Sequence, residues 1–557
     1  MTKLVQIHFE GTNIKKEYPV GTTLSDIIKD LDYDSKKPIL GALVNNELRE
    51  LSYSIYKPKT IKFINYIHPD GRRMYVRSLS MVLYKACHDL FPNLQFKIYH
   101  AISKGLYCEL QGSKMSVESH FQVVVDILDR MKEIIDNDLP FEREEIETQE
   151  ATKIFEEFGL IDKIKLMQTR QQMYTSVYKL DNVVDYYYGH LVPSTGYLKD
   201  FDLVKYYDGM LLMYPQKENP DKLEDLIDQD KLFDIFREYK NWVDIINVPN
   251  VGSLNGITLS GKIGEVIKIN EALQEKKLAS IADQIYKVKN DVRVVLISGP
   301  SSSGKTTFSK RLAIQLKVLG MKPIMISLDN YFVNREKTPR DENGEYDFEH
   351  PRALDIKLFN DNMLALFAGE EVQLPKFSFT NGSRYYADKK LKIDDKNIII
   401  VEGIHALNPE LSAFIPRKRK FKVYVSAITQ LGIDSHNRIP TTDNRLLRRI
   451  VRDFQYRNYS ALDTLRRWQS VRKGEEKYIF PYQEEADVMF NTALLFELGV
   501  LKKWVEPMLQ EVPPVVPEYS EAKRLLKFLS YFVPIPDFEI PPTSILREFL
   551  EGSSFDY

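Results

Sequence analysis

Residues 299–306 read G-P-S-S-S-G-K-T and match the phosphate-binding loop pattern G-x-x-x-x-G-K-[ST] at every fixed position. An apolar, β-branched stretch at 292–298 predicts a strand that enters the loop, and 307–319 predict a helix that leaves it. Glycines let backbone N–H groups close around phosphates, and a helix N-terminus adds partial positive charge. A chance glycine–serine turn, the alternative, does not account for the flanking strand and helix. The pattern therefore predicts a nucleoside triphosphate site.

The residue types in this loop predict their own roles. Lys305 is expected to reach the β- and γ-phosphates, and the Thr306 hydroxyl is expected to bind Mg²⁺. We predict that ATP contacts nine consecutive residues: Gly299, Pro300, Ser301, Ser302, Ser303, Gly304, Lys305, Thr306 and Thr307.

Length and composition restrict the class of protein. A chain of 557 residues is too long for one hydrophobic core, so three or four domains are expected. The net charge of −2 argues against a dedicated polyanion binder but leaves local patches open. Two cysteines without metal-type spacing argue against disulfides and a cysteine zinc site. The first residues alternate like a strand and no apolar run would span a bilayer, so we expect a cytoplasmic protein without a membrane contact.

The order of apolar patterns predicts four units, and the fold class is therefore multidomain, α/β and α+β. Residues 1–65 are expected to form a β-grasp, and residues 66–275 a mixed α+β region. Strands and helices alternate over residues 285–505, the pattern of a parallel sheet covered on both faces. A proline-rich, helical tail at residues 506–557 is expected to pack on the rest, because a free helix of its length is marginal.

Two acidic residues follow predicted strands of the third unit. Asp329 ends the strand 324–328, and Glu402 ends the apolar strand 398–401. In open α/β sheets ligands bind beyond the carboxyl ends of strands, so both side chains are expected near the γ-phosphate. Asp329 could accept the proton of an attacking hydroxyl or help to hold Mg²⁺, and Glu402 is a candidate Mg²⁺ partner. A turn or capping role for Asp329 and a solvent-facing role for Glu402 are the alternatives.

A row of arginines lies further along the chain. Arg445, Arg448, Arg449 and Arg452 have i, i+3, i+4 and i+7 spacing, which places them on one face of a helix. Such a row could close over transferring phosphates and neutralise their charge. The alternative is a solvated basic face, and the scarcity of acidic residues between Arg445 and Arg452 favours the functional interpretation.

Six blocks of residues 293–495 together resemble the uridine kinase and phosphoribulokinase family of phosphate-loop kinases. They are G-P-S-S-S-G-K-T-T, S-L-D-N-Y-F at 327–332, Y-D-F-E-H-P-R-A-L-D at 346–355, L-P-K-F-S-F-T-N-G-S-R at 374–384, V-E-G-I-H-A-L at 401–407 and T-D-N-R-L-L-R-R-I-V-R-D at 442–453. The resemblance implies Asp329 as general base, Glu402 as Mg²⁺ partner and Glu349 as the acid that holds ribose hydroxyls. It also implies catalytic roles for Lys305, Arg445, Arg448 and Arg449, and an acceptor site that includes Tyr331, Phe377, Phe379 and Arg384.

The same blocks depart from the family where the base is read. Uridine kinases use a tyrosine and a histidine there, and this sequence has Phe377 and Gly382. Glu349 stands where the family has aspartate. The catalytic residues therefore agree with the family, whereas recognition of the base does not.

Residues 1–240 resemble the N-terminal half of threonyl-tRNA synthetase, with a TGS domain followed by the second additional domain that edits mischarged tRNA. The blocks L-F-P-N-L-Q-F-K-I at 90–98 and D-Y-Y-Y-G-H-L-V-P-S-T-G at 185–196 carry this resemblance. The family's two histidines, cysteine and further histidine fall on Met81, Lys85, Tyr187 and Leu191, so we expect neither zinc nor editing chemistry in this half. His190 directly precedes Leu191, the residue that stands in place of the family's last histidine.

Three classes of function follow from these patterns. The favoured one is an ATP- and Mg²⁺-dependent kinase that phosphorylates a hydroxyl of a nucleoside, with a non-nucleoside sugar-type alcohol as the alternative acceptor. A TGS-bearing GTPase would need the guanine motif N-K-x-D, and the sequence contains no Asn-Lys dipeptide. An ATP-binding, RNA-associated regulatory protein is the third class. Contact with RNA is not expected to be required, and assembly into a homo-oligomer stays open.

Overall fold

The computed structural model describes residues 3–12, 14–31, 37–112, 117–342, 344–378, 381–394, 396–429 and 431–556. Within these ranges no helix combines the length and the apolar character that crossing a membrane requires.

A five-stranded sheet with one helix forms the N-terminal unit. Its strand order is β2-β1-β5-β3-β4, with β1 and β5 parallel at the centre. Val5, Ile7 and Ile61 point into a core that Ile27 of the helix covers, as alternating strands and an amphipathic helix require. This arrangement agrees with the predicted β-grasp. Its elements are β1 (Leu4–Phe9), β2 (Lys15–Pro19), α1 (Leu24–Leu31), β3 (Gly41–Val44), β4 (Glu47–Arg49) and β5 (Lys59–Ile64).

The middle region contains two antiparallel sheets, ordered β11-β12-β7-β6 and β10-β9-β8. The long helix α2 begins at Pro69, where the His68 side chain accepts a hydrogen bond from the backbone N–H of Asp70. Its elements are α2 (Pro69–Leu90), β6 (Gln95–Ile102), β7 (Gly105–Gln111), α3 (Val117–Asp136), β8 (Glu142–Glu147), α4 (Thr148–Glu157), α5 (Ile161–Arg170), β9 (Tyr174–Leu180), β10 (Val183–Asp185), β11 (Asp202–Tyr206) and β12 (Gly209–Met213).

Three helices lead from the middle region to the C-terminal half: α6 (Asp230–Ile246), α7 (Val251–Leu259) and α8 (Ile263–Lys287). The sequence predicted a helix over 273–287, but α8 begins ten residues earlier. Residues 275–285, which separate the second predicted unit from the third, therefore lie inside one continuous helix.

The C-terminal half is built on a parallel sheet in the order β14-β17-β13-β18-β19. The central strand β13 is fully buried, as its V-V-L-I-S sequence requires for a strand covered on both faces. The hairpin β15–β16 stands apart from this sheet. The elements are β13 (Val294–Ser298), α9 (Lys305–Val318), β14 (Lys322–Ser327), α10 (Ile356–Phe367), β15 (Val372–Ser378), β16 (Ser383–Leu391), β17 (Asn397–Glu402), β18 (Lys420–Ser426), α11 (Thr441–Arg457), α12 (Ala461–Tyr478), β19 (Val488–Asn491) and α13 (Glu497–Gln510).

The tail packs against the rest of the chain, as the sequence predicted. Helix α14 (Tyr519–Leu529) buries Ala522, Leu525 and Leu529 in a core that it shares with the middle region and the parallel-sheet half. Beyond it, a short 3₁₀-helix (Ile545–Glu548) lies against α9. The last residues of the chain are thereby brought to the phosphate loop.

A buried ion cluster joins the middle region to the parallel-sheet half. Lys163 Nζ lies 2.8 Å from Asp185 Oδ1 and 2.9 Å from Asp434 Oδ1, and all three side chains are excluded from solvent. His436 Nδ1 lies 2.7 Å from the second Asp185 oxygen. The two halves are therefore fixed to each other by charges that would be costly to separate.

Candidate active site

The phosphate loop runs from the end of β13 to the start of α9, as the sequence predicted. Gly304 adopts a φ of +84°, and Gly299 passes so close to Val425 that a Cβ atom would lie 1.9 Å from its carbonyl oxygen. Both positions therefore need glycine. The Oγ atoms of Ser302 and Ser303 are buried and have no hydrogen-bond partner among the described residues. The loop thus holds two buried hydroxyl groups whose donors are unused among the described residues.

Lys305 is buried at the first turn of α9, where its Nζ donates to the Pro300 carbonyl at 3.1 Å. Burial lowers the pKa of Lys305, and the carboxylates of Glu402, Glu548 and Asp329 oppose that shift. The ammonium group is therefore held over the loop and faces three acidic side chains.

Asp329 and Glu402 lie at the carboxyl ends of neighbouring strands. Strands β14 and β17 pair in parallel with Ser327 opposite Glu402, and β17 pairs with β13. Asp329 is exposed in a 3₁₀-helix that begins just after β14. Burial, with smaller contributions from the charges of Asp329 and Glu548, raises the pKa of Glu402 to about 7, and Lys305 opposes the shift. The predicted placement of both carboxylates at the loop's edge of the sheet is thus observed.

A carboxylate from the tail occupies the loop. Glu548 Oε2 accepts hydrogen bonds from the backbone N–H of Thr307 at 3.0 Å and from its hydroxyl at 2.8 Å. Ile545 packs so tightly on Gly304 that a Cβ atom there would lie 2.6 Å from it. A phosphate that used the Thr307 donors would have to displace Glu548. Nothing in the sequence indicates this contact, because the two residues lie 241 positions apart.

The arginine row does not form a free basic face. Arg445 pairs with Glu475 at 2.7 Å through Nη2, and Arg448 Nε pairs with Glu497 at 2.8 Å. Both guanidinium groups also donate to the phosphate loop, Arg445 to the Ser301 carbonyl at 3.1 Å and Arg448 to that of Ser302 at 3.5 Å. These two arginines therefore hold the backbone of the loop in place through its carbonyl groups.

The next arginine of the row lies closer to the loop side chains. Arg449 Nη1 donates to Ser301 Oγ at 2.9 Å, and its Nε donates to Asp453 at 3.1 Å. Glu475 also accepts the Ser301 backbone N–H at 3.0 Å. The acids that neutralise the row come mostly from α12 and α13, so counting acids within 445–452 did not reveal them.

Glu349 is recessed beside the arginines. Burial raises the pKa of Glu349 to about 7, Arg449 opposes the shift, and Glu475 and Asp347 add to it. Helix α12 passes close by, since a Cβ atom at Gly474 would lie 2.3 Å from the Glu349 Cβ. A carboxyl that ionises near neutrality suits hydrogen bonding to alcohol groups.

His405 was not predicted as a site residue, although it follows Glu402 in the V-E-G-I-H-A-L block. Its side chain is 2% exposed, and neither ring nitrogen has a hydrogen-bond partner among the described residues. Burial lowers the pKa of His405 to about 4, so its ring is neutral at physiological pH.

The predicted acceptor residues largely contact neighbouring residues of the protein. Arg384 pairs with Asp355 at 3.0 Å and donates to the Phe332 carbonyl at 3.0 Å. Tyr331 is buried and accepts from Asn362 at 3.2 Å. Phe377 lies opposite Arg384 in the β15–β16 hairpin. Phe379 lies outside the described residues.

Gly382 has a backbone reason to be glycine. Its φ is +64°, and a Cβ atom would lie 2.8 Å from Arg335 Nε. A histidine at this position would be strained and would have to displace Arg335. The local backbone conformation therefore favours glycine over the family's histidine at this position.

In the middle region, the four positions that replace the editing residues are buried. Met81, Lys85, Tyr187 and Leu191 are each at most 2% exposed. Lys85 Nζ is used in contacts to Asn182, Asp89 and Asp181 at 2.5–3.2 Å. Within the described part of the chain, no group of three or more His, Cys, Asp and Glu residues could hold a metal ion.

Comparison with known proteins gives different matches for the two halves of the chain. A family model described as the phosphoribulokinase / uridine kinase family matches residues 294–494. A uridine kinase from Macrococcus caseolyticus is 29% identical over 198 residues, which are 35% of this chain and 86% of that protein. A uridine kinase from Ureaplasma urealyticum is 24% identical over 215 residues, 38% of this chain and 95% of that protein.

The other half resembles a different protein. The threonine–tRNA ligase of Desulforamulus reducens is 28% identical over 190 residues, which are 34% of this chain and 29% of the ligase. The chain thus spans less than a third of that ligase. A solved structure described as a possible uridine kinase from Bacillus stearothermophilus covers 39% of this chain and 98% of its own, with a TM-score of 0.27 and 20% identity. Residues 294–494 thus match the phosphoribulokinase / uridine kinase family model, and the N-terminal half is similar to threonine–tRNA ligases.

Proposed function

We propose that the protein transfers the γ-phosphate of ATP to a hydroxyl of a small alcohol acceptor. The observation that carries this proposal is the convergence of the phosphate loop, Asp329 and Glu402 at the ends of β13, β14 and β17. Ligands of open parallel sheets bind at this edge. A phosphate loop alone is compatible with many ATPases, whereas an exposed carboxylate beside it supports activation of an acceptor hydroxyl.

Each residue has a distinct task in this proposal. Lys305 neutralises the charge that develops on the transferring phosphate, and the loop N–H groups orient the triphosphate. Asp329 accepts the proton of the acceptor hydroxyl. Arg445 and Arg448 position the loop through the Ser301 and Ser302 carbonyls, and Arg449 donates to the Ser301 hydroxyl.

The site is suited to a magnesium ion. Glu402 is surrounded by the negative charge of Asp329 and Glu548, and Lys305 is the cation that opposes it. Oxygen ligands from Glu402 and the Thr306 hydroxyl are the type that Mg²⁺ prefers. When bound, the ion would supply positive charge that neutralises the transferring phosphate.

Glu548 must leave the Thr307 donors before a phosphate can use them. Its contact with Thr307 therefore competes with a phosphate for the same donors in this proposal. Withdrawal of Glu548 also moves a carboxylate away from Glu402, which relieves part of the repulsion that raises the pKa of Glu402.

For the acceptor, we favour a nucleoside or a sugar-type alcohol, and expect uridine and cytidine to be poor substrates. Glu349 and Asp329 are suited to ribose-like hydroxyls. Phe377 lacks a phenol and Gly382 lacks a side chain, so the polar groups that would reject other bases are missing. Arg335 lies where a side chain of residue 382 would project, so the family's histidine has no counterpart at this place.

The test is kcat/KM for a panel of acceptors under one set of conditions: uridine, cytidine, adenosine, guanosine, inosine and ribulose 5-phosphate. We expect a purine nucleoside or a non-nucleoside alcohol to exceed uridine. A strong preference for uridine over every other acceptor would contradict this assignment and restore a plain uridine kinase.

A further inference from the structure

Four cations gather where the N-terminal unit, the middle region and α14 meet; we call them the cationic patch. They are Arg77 on α2, Arg143 on β8, Arg170 at the end of α5 and Lys527 on α14. Within the part of the chain that the structure describes, none of the four forms an ion pair with a carboxylate. The three arginines donate to neutral oxygens, at 2.6–2.8 Å. The patch therefore retains its full positive charge.

Two of these arginines lie over tyrosine rings, which hold them in place. The Arg77 guanidinium lies 5.1 Å from the ring of Tyr188, and the Arg170 guanidinium lies 4.3 Å from the ring of Tyr531. The two rings are 6.3 Å apart. Lys527 lies one helical turn before Tyr531. Arginines ordered in this way lose little further freedom on binding a ligand.

Glu50 is the carboxylate that opposes the arginines at Lys527, and it is already committed to other partners. Glu50 lies 3.1 Å from His190 Nδ1 and accepts the hydroxyl of Tyr178. The Lys527 side chain reaches solvent, yet its pKa is lowered to about 8. The protein packed around it is the largest cause of this shift, Arg77, Arg170 and Arg143 add to it, and Glu50 opposes it. Repulsion among the four cations is thus only partly compensated.

We propose that the cationic patch binds an anion that carries two or more adjacent phosphate groups. Four cations that form no direct ion pair among the described residues lie together in a chain whose net charge is −2. Guanidinium groups match phosphate oxygens in pairs, and several together fit neighbouring phosphates. Tyr188 and Tyr531 are both buried, so neither ring offers a face on which a base could stack. Recognition therefore falls on the phosphates, whether they belong to a free polyphosphate compound or to a nucleic-acid backbone.

This proposal is independent of the kinase assignment, and its test keeps the two sites apart. The full-length protein is first saturated with a non-hydrolysable ATP analogue, so that the phosphate loop is occupied. Tripolyphosphate and a short single-stranded oligouridylate RNA are then titrated separately at low and moderate salt. The test variant is the double substitution Lys527→Gln with Arg143→Gln, since both side chains are exposed and their loss leaves no cavity. Lys523→Gln, one turn earlier on the same exposed side of α14, is the matched control.

We expect at least one probe to bind the wild-type protein, and the double variant to bind it roughly tenfold or more weakly. Weaker dependence on salt should accompany this loss, because fewer counterions are released. Binding of RNA alone assigns the phosphates to a nucleic acid, and binding of tripolyphosphate alone assigns them to a free compound. Absence of binding by both probes, or an equal loss in Lys523→Gln, overturns the proposal. Thermal melting of each variant verifies that the fold is unchanged.

Discussion

Replacing Glu548 with glutamine is expected to strengthen ATP binding, because the amide keeps the shape of the side chain but loses its charge. In the structure, Glu548 Oε2 accepts two hydrogen bonds from Thr307, at 3.0 and 2.8 Å. Hydrogen bonds to an ionised acceptor are worth about 1.5–3 kcal/mol each, and those between neutral groups about 0.5–1.5 kcal/mol. Part of the difference is offset because buried Ile545, Leu546 and Phe549 still hold the segment in place.

The remaining gain is about 1–2 kcal/mol, which corresponds to roughly 5–30-fold tighter binding of ATP. Calorimetric titration with a non-hydrolysable ATP analogue measures it directly. Glu551→Gln is the matched control, because Glu551 is exposed and lies just beyond the 3₁₀-helix. Unchanged affinity in Glu548→Gln would refute competition between the tail and the nucleotide. Weaker affinity would mean that Glu548 contributes to the bound state instead.

Three further substitutions test separate parts of the account. Asp329→Asn should lower kcat by ~10²–10⁴-fold in a steady-state assay while ATP affinity stays the same, since an amide cannot accept the proton; a normal kcat would reduce Asp329 to a turn residue. Glu402→Gln should lower activity in a way that high Mg²⁺ partly restores, and a defect insensitive to Mg²⁺ would argue against its metal role. Arg524 and Arg73 overcome burial and lower the pKa of Glu521 to about 2, so its stabilisation is complete above the unfolded pKa of ~4.3 and is lost as pH falls toward 2. Glu521→Gln should therefore lower unfolding stability by roughly 3 kcal/mol at neutral pH in urea titrations, and a deficit that persists unchanged to pH 2 would contradict this origin.

The sequence was sufficient for those parts of the site that depend on local patterns. The loop motif, its strand and its helix are consecutive in the chain, and Asp329 and Glu402 each follow an apolar strand directly. A parallel sheet brings such strand ends together whatever the side chains around them. The β-grasp and the tail helix were likewise predictable from alternation and helical spacing.

Other parts of the site depend on contacts between distant segments. The partners of Arg445 and Arg448 come from α12 and α13, so the local scarcity of acids suggested a freer basic face than exists. Glu548 reaches Thr307 from the end of the chain. The positive φ of Gly382 fits the Asn-Gly pair of a hairpin turn, whereas the contact of this turn with Arg335 is not encoded by any local pattern.

The central claim is phosphoryl transfer at the phosphate loop, and one measurement tests it most directly. The full-length protein is incubated with Mg²⁺, ATP labelled in its γ-phosphate and the acceptor panel, beside the variant Lys305→Ala. We predict labelled phosphate on at least one sugar-type alcohol with the wild-type protein, and a loss of transfer in Lys305→Ala whose melting temperature matches the wild type. Transfer by Lys305→Ala at the wild-type rate, or no labelled alcohol with the wild-type protein, would contradict the account.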